Sequence, residues 1–330
     1  MATRQAFQTF KLNKTNMATF RLEYYSFRIK KKNKEEYTNI ENALGDLSFS
    51  DFFKKFAGLF ESELEVNEIN KRTFQFQPKS LKFSSKDRFI SGIIQGGDFG
   101  LARDVASTIT KKKTSRLLKT DSIISPFYFF LYFPNDSVIG YLCVQRIGLK
   151  GISEVFFNYF REFFKQNSIG YKLEHSPLVS KSLLLKLIQE GEISEITLRR
   201  YNLPSESTQR YNVGQVRPEK SVTAEFSLKS PGWFPLKDKV GKYISDPSAV
   251  FFDFPALREV GFDENTETSI TIDNGKSERT VILNHLDRFK TSFDIDKLID
   301  LDLDGYPKFE SINDIAKEIF VENFVNIAEE

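Results

Sequence analysis

The run Pro126-Phe-Tyr-Phe-Phe-Leu-Tyr-Phe-Pro134 places the tightest limit on how this chain folds. A strand with one face in water alternates apolar and polar side chains, and this run does not, so it suits a strand covered on both faces. Asn135-Asp136-Ser137 is a turn signal, and Val138 to Gln145 reads as the hairpin partner. Composition agrees with a large aromatic interior: 34 of the 330 residues are Phe against a single Trp. Each buried Phe contributes roughly 1.5–3 kcal/mol of transfer free energy.

The flanking sequence reads as short elements of both kinds. Ala18 to Lys31 alternates, with Phe20, Leu22 and Tyr24 opposite Arg21 and Glu23, and predicts a first strand. Phe52, Phe53, Phe56, Leu59 and Phe60 fall at helical spacing, with Ser50 as the expected N-cap. Short β-like runs occupy Leu64 to Thr110. Ile152 to Gln166 predicts an amphipathic helix whose stripe is Ile152, Val155, Phe156, Tyr159, Phe160, Phe163 and Phe164, with Gly170 as its stop. A strand at 171–175, a helix at 180–190 and a strand at 193–201 follow. Beyond a polar stretch lie a strand at 221–228, a hairpin at 268–286 turning on Asn274-Gly275, and a final helix from about Ile312. The expected class is α+β: mixed or antiparallel sheets with packed amphipathic helices around a Phe-rich core.

The net charge of +2 hides an asymmetry, because 1–250 hold 39 Lys and Arg against 26 Asp and Glu, whereas 251–330 hold 8 against 19. This suggests a basic α+β body over 1–203, a loop or linker over 204–219, and an acidic β-rich region with a C-terminal helix over 220–330. Arg4, Lys11, Lys14 and Arg21 interrupt the region after Met1, so no secretory signal is expected. The longest uncharged stretch, Ser122 to Asn135, has 14 residues, short of the roughly 20 that a membrane helix needs. A cytoplasmic protein without membrane partners is expected.

Most catalytic signatures are absent. One cysteine, Cys143, and two histidines, His175 and His285, exclude a disulfide framework and a thiolate metal cage. No G-x-S-x-G elbow, no D-x-K or E-x-K pair and no complete phosphate-loop motif occurs; the glycines at 92–100 and the Gly275-Lys276-Ser277 triplet suit tight turns. Arg279 and His285 have an Arg-x5-His spacing, but an extended segment would hold them roughly 20 Å apart. Cys143 sits in an apolar run and is expected to be buried and inert. Asp300-Leu-Asp302-Leu-Asp304-Gly305 matches the start of a calcium loop, which makes Asp300, Asp302 and Asp304 the candidate ligands of a divalent metal. The match then fails, with Ser311 at the twelfth position and Pro307 inside. An amphipathic strand turning Ile299, Leu301 and Leu303 inward accounts for the same residues. Apart from that metal, no cofactor is expected.

Clustered cations give the remaining signal. Lys111, Lys112, Lys113, Arg116 and Lys119 form one group, Arg199 and Arg200 a second, and Lys30, Lys31, Lys32 and Lys34 a third. On one face such residues neutralise phosphates and release counterions, binding DNA or RNA without regard to sequence. The runs PFYFFLYFPNDSVIGYLCVQRIG, GISEVFFNYFREFF and LLLKLIQEGEISEITLRRYNLP resemble bacterial families without an assigned activity that lie in phage-defence and mobile-element neighbourhoods. The likeness spans about 85–205 and implies an antiviral setting, with no catalytic residues to carry over. The expected function is a defence component that binds nucleic acid through its basic surface and works with a partner protein. A metal-dependent nuclease and a non-enzymatic structural or phage-sensing subunit are the alternatives.

Overall fold

Two long strands hide both of their faces. β1 (Phe20–Lys31) sends Phe20, Leu22 and Tyr24 to one side and Tyr25, Phe27 and Ile29 to the other, and all six are buried. β9 (Ile123–Tyr132) divides in the same way, with Phe127, Phe129 and Leu131 opposite Tyr128 and Phe130. The apolar run at 126–134 is therefore covered front and back, as its missing alternation predicts. The computed structural model describes residues 19–84, 88–179, 181–202, 222–230, 234–246, 257, 261–262, 266–273, 278–288 and 292–328.

The large sheet runs β12 (Tyr171–Pro177), β1, β10 (Ile139–Ile147), β9, β6 (Phe89–Asp98), β4 (Arg72–Phe76), β3 (Glu65–Asn67). β2 (Tyr37–Thr38), β5 (Lys82–Ser84), β11 (Lys150–Gly151) and β17 (Ser292–Asp294) lie on its margins. Each of these neighbours pairs antiparallel.

Helices α1 (Phe49–Gly58) and α2 (Ser153–Asn167) cover one face. Phe53 and Phe56 of α1 meet Phe156 and Phe160 of α2 and Phe76 of β4 at centroid distances between 5.0 and 6.5 Å, many of them edge to face. Rings prefer that geometry because the positive edge of one meets the negative face of another. The cap of α1 is Ser48, whose Oγ accepts from the Asp51 amide at 3.1 Å, and not the expected Ser50. Phe49 is fully buried under Phe27 and Phe133, so the stripe, and with it the helix, begins earlier.

The last helix, α5 (Phe309–Ala328), covers the other face. Ile312, Ala316, Phe320 and Phe324 pack against Tyr24, Phe130 and Tyr141. The Tyr24 hydroxyl donates to the Ala316 carbonyl at 2.8 Å, and Tyr128 donates to Asn313 Oδ1 at 3.1 Å. Between the layers lies a buried carboxylate, Glu23, which accepts from Arg146 Nη1 at 2.9 Å and from the Tyr25 hydroxyl at 2.8 Å. Burial, followed by that carboxylate, pushes the Tyr25 hydroxyl far up.

A second sheet has the order β14 (Ala224–Lys229), β13 (Glu192–Arg200), β15 (Glu267–Asp273), β16 (Glu278–Ile282), again antiparallel. With α3 (Lys181–Glu190) and α4 (Lys237–Ser245) it encloses a core of Leu184, Ile188, Ile196, Val240, Ile270 and Val281, among others. β15 and β16 form the expected hairpin; its Asn274-Gly275 turn and the polar stretch at 204–219 lie outside the described residues. The Arg279–His285 segment is extended only as far as Ile282, and a 3-10 turn follows over Leu283–Arg288.

The expected division into 1–203 and 220–330 does not follow this packing. β13 lies before the polar stretch yet pairs with β14 and β15 beyond it, whereas β17 and α5 return to the large sheet. β12 and β17 lie end to end on one edge of β1: Pro177 stands opposite Tyr25, the Leu178 amide donates to the Tyr24 carbonyl, and Ser292 stands opposite Glu23. The chain between Pro177 and Ser292 is thus an insertion in sequence, whose flanking strand ends stand opposite Tyr25 and Glu23, two residues and about 7 Å apart along β1. Composition marks where a chain is well solvated, and strand pairing between distant segments decides what packs together. Among the described residues no helix is long and apolar enough to cross a membrane.

Candidate nucleic-acid interface

Residues 101–120 carry six cations, Arg103, Lys111, Lys112, Lys113, Arg116 and Lys119, against one acid, Asp104. They fold as a two-stranded ribbon, β7 (Arg103–Ala106) and β8 (Lys113–Leu117), that pairs with neither of the other sheets. Every residue of the two strands except Leu117 is exposed, so both faces of the ribbon meet solvent. No alternation of apolar and polar residues exists here to bury a face, which is why the segment stands away from the sheet. The register shifts between Val105 and Ala106, an irregularity of the kind that strengthens twist.

The tip is held locally. Ser107 Oγ accepts from the amides of Ile109 at 3.2 Å and Thr110 at 3.1 Å, and the Lys111 amide donates to the Ser107 carbonyl at 2.8 Å. Lys111 sits at φ 56°, a left-handed conformation that closes the turn. At the root, the Gly100 amide donates to the Lys119 carbonyl at 2.8 Å, and Asp121 Oδ2 accepts from the Leu118 amide at 2.7 Å. Among the described residues only Lys113 of the six cations has an ion-pair partner, Asp104 at 2.6 Å. Arg103 joins the group because it stands on β7, a position that clustering along the chain does not reveal. Arg72 and Lys150, which hold Asp98 at 3.0 and 3.6 Å beside the root, were likewise hidden by sequence distance.

The second predicted group is elsewhere and differently placed. Arg199 lies on β13 in the second sheet, where its Nε and Nη2 donate to Glu225 Oε2 at 2.8 and 2.6 Å. The Tyr201 hydroxyl and that carboxylate raise its pKa further. Arg200, its neighbour, has the register of Ile196 and Leu198 and is half-buried. Neither shares a sheet with Lys111, Lys112, Lys113, Arg116 or Lys119. In the third group, Lys30 is bonded to Glu35 at 2.8 Å, and that bond raises the Lys30 pKa and lowers that of Glu35.

Asp300, Asp302 and Asp304 stand in a turn and not in a strand. Leu303 is fully exposed, Leu301 bridges only to Pro307, and Asp302 Oδ1 accepts from the amides of Asp304 at 3.0 Å and Tyr306 at 2.9 Å. That carboxylate is engaged in shaping the backbone, and among the described residues no group of three or more His, Cys, Asp or Glu could hold a metal ion. Cys143 is fully buried, and burial pushes its thiol well up. His175 lies stacked on Phe157 with centroids 3.8 Å apart. No protein-family model matches the chain, and no curated protein matches it.

Proposed function

We propose that the protein binds nucleic acid through the β7–β8 ribbon, gripping phosphates without reading sequence. One observation carries this reading: a ribbon exposed on both faces bears six cations, of which one is ion-paired among the described residues. The ribbon's lysines and arginines would neutralise phosphates and release counterions. The setting we propose, antiviral defence alongside a partner protein, rests on the resemblance of residues 85–205.

The test is binding across a salt series. With about five phosphate contacts the log–log slope is roughly −4.5, so affinity falls several hundred-fold between about 50 and 200 mM salt. Reversing Lys111, Lys112 and Arg116 to Glu abolishes binding and flattens that slope. Affinity that is absent for both DNA and RNA at the lower salt, or that survives the triple reversal, overturns the proposal. Phage plating with the same variant examines the biological setting, and undiminished protection removes the ribbon from it.

A further inference from the structure

The ribbon can hold a backbone but has little with which to hold a base, because residues 101–120 include no aromatic side chain. A cavity of about 430 Å³ opens at its root, within the roughly 300–1,000 Å³ usual for small-molecule sites. Three of its lining residues, Val66, Thr73 and Ile124, make a floor in one row across the large sheet: Val66 stands opposite Thr73, Thr73 opposite Gly97, and Gly97 opposite Ile124. By alternation Ile124 shares its sheet face with Tyr128, which packs under Phe309 of α5. No residue of α5 lines the cavity, so the row lies beyond the covered part of that face.

The lining is chemically mixed. Val66 and Ile124 are apolar and partly exposed, while Thr73, almost fully buried, shares a hydrogen bond of 2.9 Å with Ser122 Oγ at the base. A Cβ on Gly97 would come within 2.5 Å of that Ser122 oxygen and 2.3 Å of the Ile123 carbonyl, so only glycine lets the segment leading out of the ribbon close over the floor. Phe99 stands at the wall with the Lys71 ammonium 5.3 Å from its ring centre, and Lys71 is itself paired with Glu68 at 2.6 Å. Lys119 lines the same cavity and also belongs to the ribbon.

We propose that this cavity takes one unstacked nucleotide of a strand whose phosphates the ribbon holds. The inference rests on the nucleic-acid reading above and narrows its substrate to unpaired strand. The apolar walls and Phe99 accept a base, for which one such contact is worth roughly 1–3 kcal/mol. The Glu68 carboxylate and the floor hydroxyls offer acceptors to exocyclic amino groups. Lys119, shared by both parts, marks where the phosphate passes from the cavity to the ribbon.

The experiment compares fluorescence anisotropy of a labelled oligodeoxyadenylate strand and a blunt duplex of equal length, for the full chain and for Val66→Glu. Val66 is exposed on the short strand β3, so an acid there enters the cavity without entering a core. The expected result is that the single strand binds about tenfold more tightly than the duplex, and that V66E removes this preference. Phe99→Ala gives the same loss; a Phe99→Ala chain that fails to fold leaves V66E to decide. Equal binding of strand and duplex by the full chain, or a preference that survives V66E, overturns the inference and leaves the ribbon reading standing. Absence of binding to both probes and to their RNA counterparts overturns the two together.

Discussion

The two cores are filled with different chemistry. Around the large sheet the interior is aromatic, and both faces are covered, by α1 and α2 on one side and α5 on the other. Around the second sheet the buried core residues are aliphatic among the described residues, and the described helices α3 and α4 cover one face. Its open face carries cross-strand polar pairs: Arg199 with Glu225, Lys229 with Glu195, and Thr271 with Thr280. A half-exposed sheet places side chains of both signs opposite one another, so its cations are matched by neighbours. The ribbon has one acid beside its six cations and, among the described residues, no neighbouring strand to supply more. The comparison therefore separates basic residues that are spent on structure from those that remain available to a polyanion.

Truncating the aromatic core tests this contrast most severely. Phe56 touches rings from α1, α2 and β4, and Phe56→Ala should cost about 4 kcal/mol in urea unfolding. Arg146→Met leaves the buried Glu23 carboxylate without its ion-pair partner, bonded to the Tyr25 hydroxyl alone, and should cost about 3 kcal/mol, read by the same midpoint shift. In the aliphatic core, Ile270→Val removes a single methylene and should cost about 1 kcal/mol. On the open face, Glu225→Ala frees an exposed Arg199 at a cost below about 0.5 kcal/mol. A loss at Ile270→Val that equals the loss at Phe56→Ala would break the distinction between the cores. A measurable rise in polyanion affinity on Glu225→Ala would sharpen the view that pairing, and not position alone, withholds Arg199.

Local pattern carried much of this into the sequence. The unbroken run at 126–134 announced burial on both faces, and the spacing of Val155, Phe156, Phe160, Phe163 and Phe164 announced the α2 stripe, because both signals need only neighbouring residues. What the sequence concealed was non-local. The alternation at 193–200 shows a half-buried strand but does not name the partners of β13, which lie 24 residues or more further on. Glu225 reaches Arg199 only through that pairing. For the candidate site, the lysines of the ribbon were legible as a cluster, whereas Arg103 and the floor of the cavity depend on register. The three aspartates at 300–304 stand in a turn that Asp302 braces through two backbone amides, a geometry that their spacing does not announce.

The position of α5 after the insertion sets an order of events during synthesis. A ribosome makes β1, β9 and β10 first, then the whole insertion, and only afterwards the helix that covers Tyr24, Tyr128, Phe130 and Tyr141. Until residue 328 has emerged, that wide apolar surface stays open to other nascent chains. A stop codon placed before Phe309 should therefore yield aggregate, whatever the intrinsic stability of the α1–α2 side.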